Sequence, residues 1–258
     1  METSKVTCPG KLSSYGKLFG THGKNLEEYS GGFPPTVFSS SEAGEPAMEA
    51  IKDHNIAELS ERSVLIELML GYVHATPPSQ LEGISFDVLM DLAEAAEKYS
   101  VYSAMESCKN AIERDMLKNP NEVLLYAINH GYYDLADKIA PWTIYWDLED
   151  AQENLGPAFL PWVKYRESWY KLQLGMPVNI PYFSCGRCTN RTVWNDFCMK
   201  VLCNITEGHL LTLSKSVQRT IEETIVCQSC VRRAHEWKDK VVEEIEGLPP
   251  LTRHLRPN

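Results

Sequence analysis

The chain lacks any long apolar run. No stretch of its 258 residues approaches the roughly 20 apolar residues needed to span a bilayer. Its start, METSKVTCPGKLSSYGK, has no apolar core of a secretory signal, so a cytosolic or nuclear protein is the expectation. Positive charge is also scarce: 25 Lys and Arg against 35 Asp and Glu give a net charge of −10. That balance speaks against non-specific nucleic-acid binding and against adsorption to an anionic membrane, both of which need a basic footprint. Catalytic signatures are missing as well. There is no G-x-S-x-G, no P-loop, no G-x-G-x-x-G and no H-E-x-x-H. His22, His54, His74, His130, His209, His235 and His254 show no metal-ligand spacing along the chain, and each reads as a surface or locally bonded residue. The expectation is a chain that is not an enzyme.

What is present is enough apolar matter for a core, at 43 % hydrophobic residues. Residues 1–50 have no long amphipathic stripe. Gly and Pro cluster at Ser30-Gly31-Gly32-Phe33-Pro34-Pro35, and this part reads as short strands, turns and loops. From Ser63 the pattern turns helical. Val64, Leu65, Leu68, Met69 and Tyr72 repeat at three and four, and Pro77-Pro78 ends the run. Ser85 suits the cap of a second helix with Phe86, Leu89, Ala93 and Ala96 on one face. Val101, Met105, Cys108 and Ile112 make a third stripe. Asn119-Pro120 starts a helix through Val123, Leu124, Ala127 and Ile128, and Gly131 closes it. Leu135, Ala136 and Ile139 form a short stripe before Pro141. Strands early, helices late and no βαβ alternation predict an α+β fold.

The segment 141–182 is rich in aromatics. Trp162, Tyr165, Trp169 and Leu172 have helical spacing, which fits core packing between two helical layers; the alternative is an aromatic peptide-binding surface. Gly175, Pro177 and Pro181 predict a loop or boundary.

Beyond it lie two pairs, Cys185-Gly-Arg-Cys188 and Cys227-Gln-Ser-Cys230, with 38 residues between them. Each C-x-x-C can aim two thiolates at one ion, and four sulfurs form the closed tetrahedral set of a structural Zn²⁺. Such a site would stabilise a region too small to build its own core. The alternative stays open: Cys227, Cys230, Ala234, Trp237 and Val241 share a helical stripe, where cysteine acts as a small hydrophobe. Cys198 falls on a stripe with Trp194, Phe197, Val201, Leu202 and Ile205, whereas Cys203 lies off it. Residues 185–240 hold nine Lys/Arg against six Asp/Glu, an excess of three, too sparse a basic patch for phosphate contacts. Asn190-Arg-Thr and Asn204-Ile-Thr match glycosylation acceptors, but without a signal segment the match is read as chance.

Several stretches together resemble a family. Leu18-Phe19-Gly20-Thr21-His22-Gly23-Lys24-Asn25-Leu26 is similar to the second strand and following helix of a BTB/POZ domain. Ser30-Gly31-Gly32-Phe33-Pro34-Pro35 resembles the Gly-Phe-Pro-Pro turn of BTB proteins from basidiomycete fungi. Val64–Val73, Pro77-Pro78, Leu81-Glu82-Gly83-Ile84 and Leu92–Tyr99 (LAEAAEKY) look like that subfamily's central helix, the loop after it and the penultimate helical hairpin. Residues 109–140 resemble the helical extension that follows many such domains.

The resemblance covers about residues 5–175 and implies a helical cluster flanked by a small sheet. The resemblance suggests a BTB/POZ-like domain over 5–118 and a helical extension over 119–176, and the cysteine pairs add a Cys-rich helical region over 177–245. In function it implies a non-enzymatic interaction module that binds itself or a partner protein. Its alternative is a cullin-type ubiquitin-ligase adaptor, and a zinc-dependent nucleic-acid-binding regulator is a weaker one. The sequence departs from the family at its first strand, expected near Val6–Leu12 but interrupted by Pro9-Gly10, and at Tyr15, where the family often has an acidic residue.

Overall fold

A computed structural model describes residues 10–14, 16–33, 56–74, 81, 83–179, 192–207 and 210–255; at 10, 11, 23, 56, 177–179, 192 and 205–207 the backbone alone is described. The chain is mostly helical with a small mixed three-stranded sheet near its N-terminus, which agrees with the α+β expectation at that level. It divides into two compact units, 1–116 and 117–258.

In the first unit β1 (Gly10–Ser14) and β2 (Lys17–Thr21) form an antiparallel hairpin, and Gly16 at φ +78 turns the chain between them. The first strand thus extends beyond the stretch near Val6–Leu12. Leu12 and Ser14 alternate inward and are fully buried. α1 (Gly23–Tyr29) follows β2 directly. Its seven residues are too few to show a stripe, so hydrophobic period alone reads this stretch as loop. β3 (Ile56–Glu58) returns parallel to β1, giving the order β2-β1-β3.

α2 (Ser63–Val73) buries Leu65, Ile66, Met69, Leu70, Tyr72 and Val73, leaving Val64 exposed. α3 (Phe86–Lys98) starts as expected at Ser85, whose hydroxyl accepts from the Val88 N–H at 3.4 Å. Between α3 and α4 (Tyr102–Asp115) the chain reverses within three residues. The Val101 N–H reaches back to the Ala96 carbonyl at 2.9 Å and the Ser100 N–H to Glu97 at 3.1 Å. This double bond pattern needs a left-handed residue, and Ser100 occupies it at φ 50. Val101, Cys108 and Ile112 are buried as their spacing predicts.

The second unit holds α5 (Pro120–Asn129), α6 (Tyr133–Ile139), a 3₁₀ turn (Ala140–Thr143), α7 (Leu148–Leu155), a 3₁₀ turn (Gly156–Ala158), α8 (Phe159–Asn179), α9 (Thr192–Glu207), a 3₁₀ turn (Leu210–Thr212), α10 (Leu213–Thr224), α11 (Gln228–Glu246) and α12 (Thr252–Leu255). Pro120 takes the first turn of α5, although the Asn119 side chain makes no cap bond. Gly131, at φ +72, closes α5 with the Tyr132 N–H on the Ala127 carbonyl.

The expected break at Gly175 and Pro177 is corrected: α8 runs through both to Asn179. A proline within three residues of a helix end removes one N–H where few turns remain to be disrupted. α8 packs against α7, α11 and α12, and α12 also meets α6, so Thr252–Leu255 joins the body built by α5–α8. Asp137 on α6 accepts from the Thr252 backbone N–H at 2.9 Å and from its hydroxyl at 2.6 Å.

Candidate functional site

Two of the motifs that carry the resemblance meet in the first unit, while Pro77-Pro78 lies outside the described residues. The LAEAAEKY run ends α3 with Lys98 and Tyr99. Ser30-Gly31-Gly32-Phe33 crosses this end as a strap. The Gly32 N–H donates to the Tyr99 carbonyl at 3.0 Å and the Gly31 N–H to the Ser100 carbonyl at 3.3 Å. Phe33 stacks on the Tyr99 ring with centroids 4.5 Å apart and planes 12° from parallel. At Gly32 an added Cβ would lie 2.6 Å from the Lys98 carbonyl oxygen and 2.9 Å from the Tyr99 backbone, so no larger residue fits there without movement. Pro34 and Pro35 lie outside the described residues.

Under the strap is a polar knot. The Tyr99 hydroxyl and the Lys98 ammonium both donate to the Glu61 carboxylate, Lys98 also donates to the Ser60 hydroxyl at 3.0 Å, and the Ser14 hydroxyl donates to the Glu61 carbonyl. Strand β1, the entry to α2 and the end of α3 are thereby tied at one point. Burial raises the Glu61 carboxyl, but the donors Lys98 and Tyr99 outweigh it and hold it below the usual value. Burial, and next the bond to Glu61, push the Tyr99 phenol up to about 12. Glu61 raises Lys98 in turn. All three groups satisfy one another, which makes the knot a positioning device and leaves no group poised as a general acid or base near neutrality.

A second polar contact was invisible along the chain. His22, at the start of α1, and His74, at the end of α2, bring their ring centroids to 5.7 Å, edge to face. Phe19 is half-buried under the Lys17 ammonium, 5.0 Å from its ring.

In the second unit Trp162, Tyr165 and Trp169 are buried, as core packing predicts, so these three present no aromatic surface. Trp162 Nε1 donates to Thr143 Oγ1 at 3.0 Å, and Arg166 Nε donates to the Ile144 carbonyl at 2.6 Å while its guanidinium lies between the Trp162 and Tyr170 rings. Tyr145 remains exposed. Glu149 and Asp150 are exposed residues of α7's first turn, where Asp147 accepts both their N–H groups.

Of the four candidate zinc ligands, Cys185 and Cys188 lie outside the described residues. Cys227 is the N-cap residue of α11 and half-buried; Cys230 lies in its first turn and is buried with Ala234, Trp237 and Val241 on the stripe seen in the sequence. Among the described residues no group of three or more His, Cys, Asp or Glu side chains could hold a metal ion. Cys203 is exposed, and Cys198 is half-buried with its thiol raised by burial. Asn204 donates its side-chain amide to Thr220 at 3.3 Å within the α9–α10 packing, a poor position for a glycan.

Among the described residues no helix is long and apolar enough to cross a membrane. No family model matches the chain, no curated protein matches it, and no solved structure matches it.

Proposed function

We propose that the chain is a non-enzymatic protein–protein interaction module of BTB/POZ type that binds itself or a partner protein through a preformed face. The observation that carries this reading is the Gly32–Tyr99 strap. Two of the motifs that carry the resemblance, the glycine–phenylalanine turn and LAEAAEKY, are distant in sequence and fold onto each other. Further support comes from the order of parts: the second strand with α1 after it, the central helix α2 and the α3–α4 hairpin follow one another as the resemblance implies. A rigid corner of this kind costs little to order on binding, because the Glu61 knot has already fixed its side chains.

The alternative is a cullin-type ligase adaptor, and the helical run α5–α8 directly after α4 favours it, since such an extension follows the domain in many members. Mixing the purified chain with a cullin scaffold separates the two readings. Co-elution supports the adaptor; self-association without co-elution supports the plain module; a chain that does neither and turns over a small molecule contradicts both.

A structural Zn²⁺ held by Cys185, Cys188, Cys227 and Cys230 belongs to the same proposal. Cys227 and Cys230 bracket the first turn of α11, where the helix N-terminus favours thiolates. Elemental analysis of the purified chain tests it: about one zinc per chain, released when the thiols are alkylated, is expected, and metal-free protein with α11 intact refutes it. A zinc-dependent nucleic-acid regulator is the weaker reading, because the basic excess near this helix is small. The proposed setting is cytosolic or nuclear, where thiols stay reduced.

A further inference from the structure

The corner where β2 enters α1 meets the end of α2 through two imidazoles. His22 is the N-cap residue of α1 and His74 the C-cap residue of α2. Their rings are 5.7 Å apart between centroids and 80° from parallel, and both are half-buried. Asn25 on α1 places its amide nitrogen 3.4 Å from His74 Nδ1, so the neutral ring accepts there. Lys17 at the start of β2 and Glu67 on α2 form an exposed ion pair at 2.7 Å. The other charged residues of α1, Lys24, Glu27 and Glu28, are exposed.

We infer that the His22–His74 contact is a proton-sensitive joint, in which a neutral His74 ring holds the β2–α1 corner to the end of α2 and acid loosens it.

Three physical effects act at the joint. A proton on His74 Nδ1 turns the Asn25 contact from donor–acceptor into donor–donor, which only rotation of the amide relieves. A His74 imidazolium loses hydration on burial and is disfavoured by the charge of the facing His22 ring. Against these, the C-terminal end of α2 favours a cation at His74. Burial, and next the charge of His22, win that balance and hold His74 below the ordinary histidine value. With the folded value depressed, the stability that the joint contributes is fully present above 6.5 and is lost as pH falls through the folded value.

The joint does not depend on what the chain binds. Its consequence is local: the loosened segment is the β2–α1 junction, from Thr21 at the end of β2 to Asn25 in α1.

An NMR titration of the histidine ring protons in the full chain, with amide exchange read over residues 17–29, tests the inference. His74 is expected to titrate below the ordinary range, and His22→Gln to move its midpoint upward. Exchange at the corner is expected to accelerate about tenfold on acidification of the wild type, and less in His22→Gln. A His74 midpoint that does not move on His22→Gln, or corner protection that is independent of pH, overturns it. Should the variant fail to fold, the wild-type titration still decides, because a His74 midpoint at or above the ordinary value contradicts the joint.

Discussion

Gly32 lies against the backbone of Tyr99 so closely that the absent side chain is itself a structural requirement. A Cβ there would come within 2.9 Å of Tyr99 Cα and 2.6 Å of the Lys98 carbonyl oxygen. Gly32→Ala must therefore push the strap off the end of α3 and weaken the Phe33–Tyr99 stack. Forced overpacking of this kind costs about 1–3 kcal/mol. The contrast is Gly31→Ala, whose nearest neighbour would be Ser100 Cβ at 3.4 Å, an ordinary contact. Thermal melts of the two variants should differ, with Gly32→Ala well below the wild type and Gly31→Ala near it. Equal melting temperatures would contradict the strap.

Alkaline pH should destabilise the first unit. The Tyr99 phenol and the Cys108 thiol are both pushed up to about 12, Tyr99 by burial and then by Glu61, Cys108 by burial, and Lys98 is raised by its bond to Glu61. A raised folded value means that the contribution is present below the ordinary value and is lost as pH climbs through the folded one. Urea midpoints should fall between about pH 9 and pH 12, starting with Cys108, whose ordinary value is 9.0. Tyr99→Phe should flatten part of that decline. At neutral pH the same variant should lower stability by about 1–3 kcal/mol, because the half-buried Glu61 carboxylate loses a donor. A midpoint that stays constant through pH 12 would refute the assignment.

Ser100 is a site for stabilisation. It holds φ 50 at the α3–α4 turn, a region that disfavours side chains with a Cβ. Ser100→Gly removes that strain while the turn itself pins the backbone, so a gain of about 1 kcal/mol is expected. Chemical denaturation would show a higher midpoint; a lower one would mean that the glycine's extra freedom when unfolded outweighs the strain.

Asp137 and Thr252 tie the chain's last helix to α6 through two hydrogen bonds. Asp137→Ala leaves the Thr252 hydroxyl buried without its acceptor, at a cost of about 1–3 kcal/mol. Proteolysis should then cut near residues 248–255 first, since the fully buried Leu251 would become reachable. Thr252→Ser keeps both donors and should resist like the wild type.

Local rules made much of the helical architecture legible. Ser85, Pro120 and Gly131 each act on their own turn, so cap chemistry alone places these ends. The stripe Cys230, Ala234, Trp237 and Val241 on α11 follows from its spacing in the same way. Contacts across the chain were not legible. His22 with His74, Glu61 with Tyr99 and Asp137 with Thr252 join residues that share no local pattern, and only tertiary packing brings them together. α1 is too short to show a period, and residues Gly175 and Pro177, which ordinarily break helices, sit inside α8 close to its end. The proposed site follows the same division. Its two motifs could be read singly, whereas their junction at Gly32 and Tyr99 could not.

Light scattering on the full chain during size-exclusion chromatography, alone and mixed with a purified cullin scaffold, tests most directly whether this protein works by presenting a face to another macromolecule. The account predicts either a particle of at least twice the chain mass or a complex that co-elutes. A species of one chain mass in both runs, at every concentration loaded, joined by turnover of a small molecule, would contradict it.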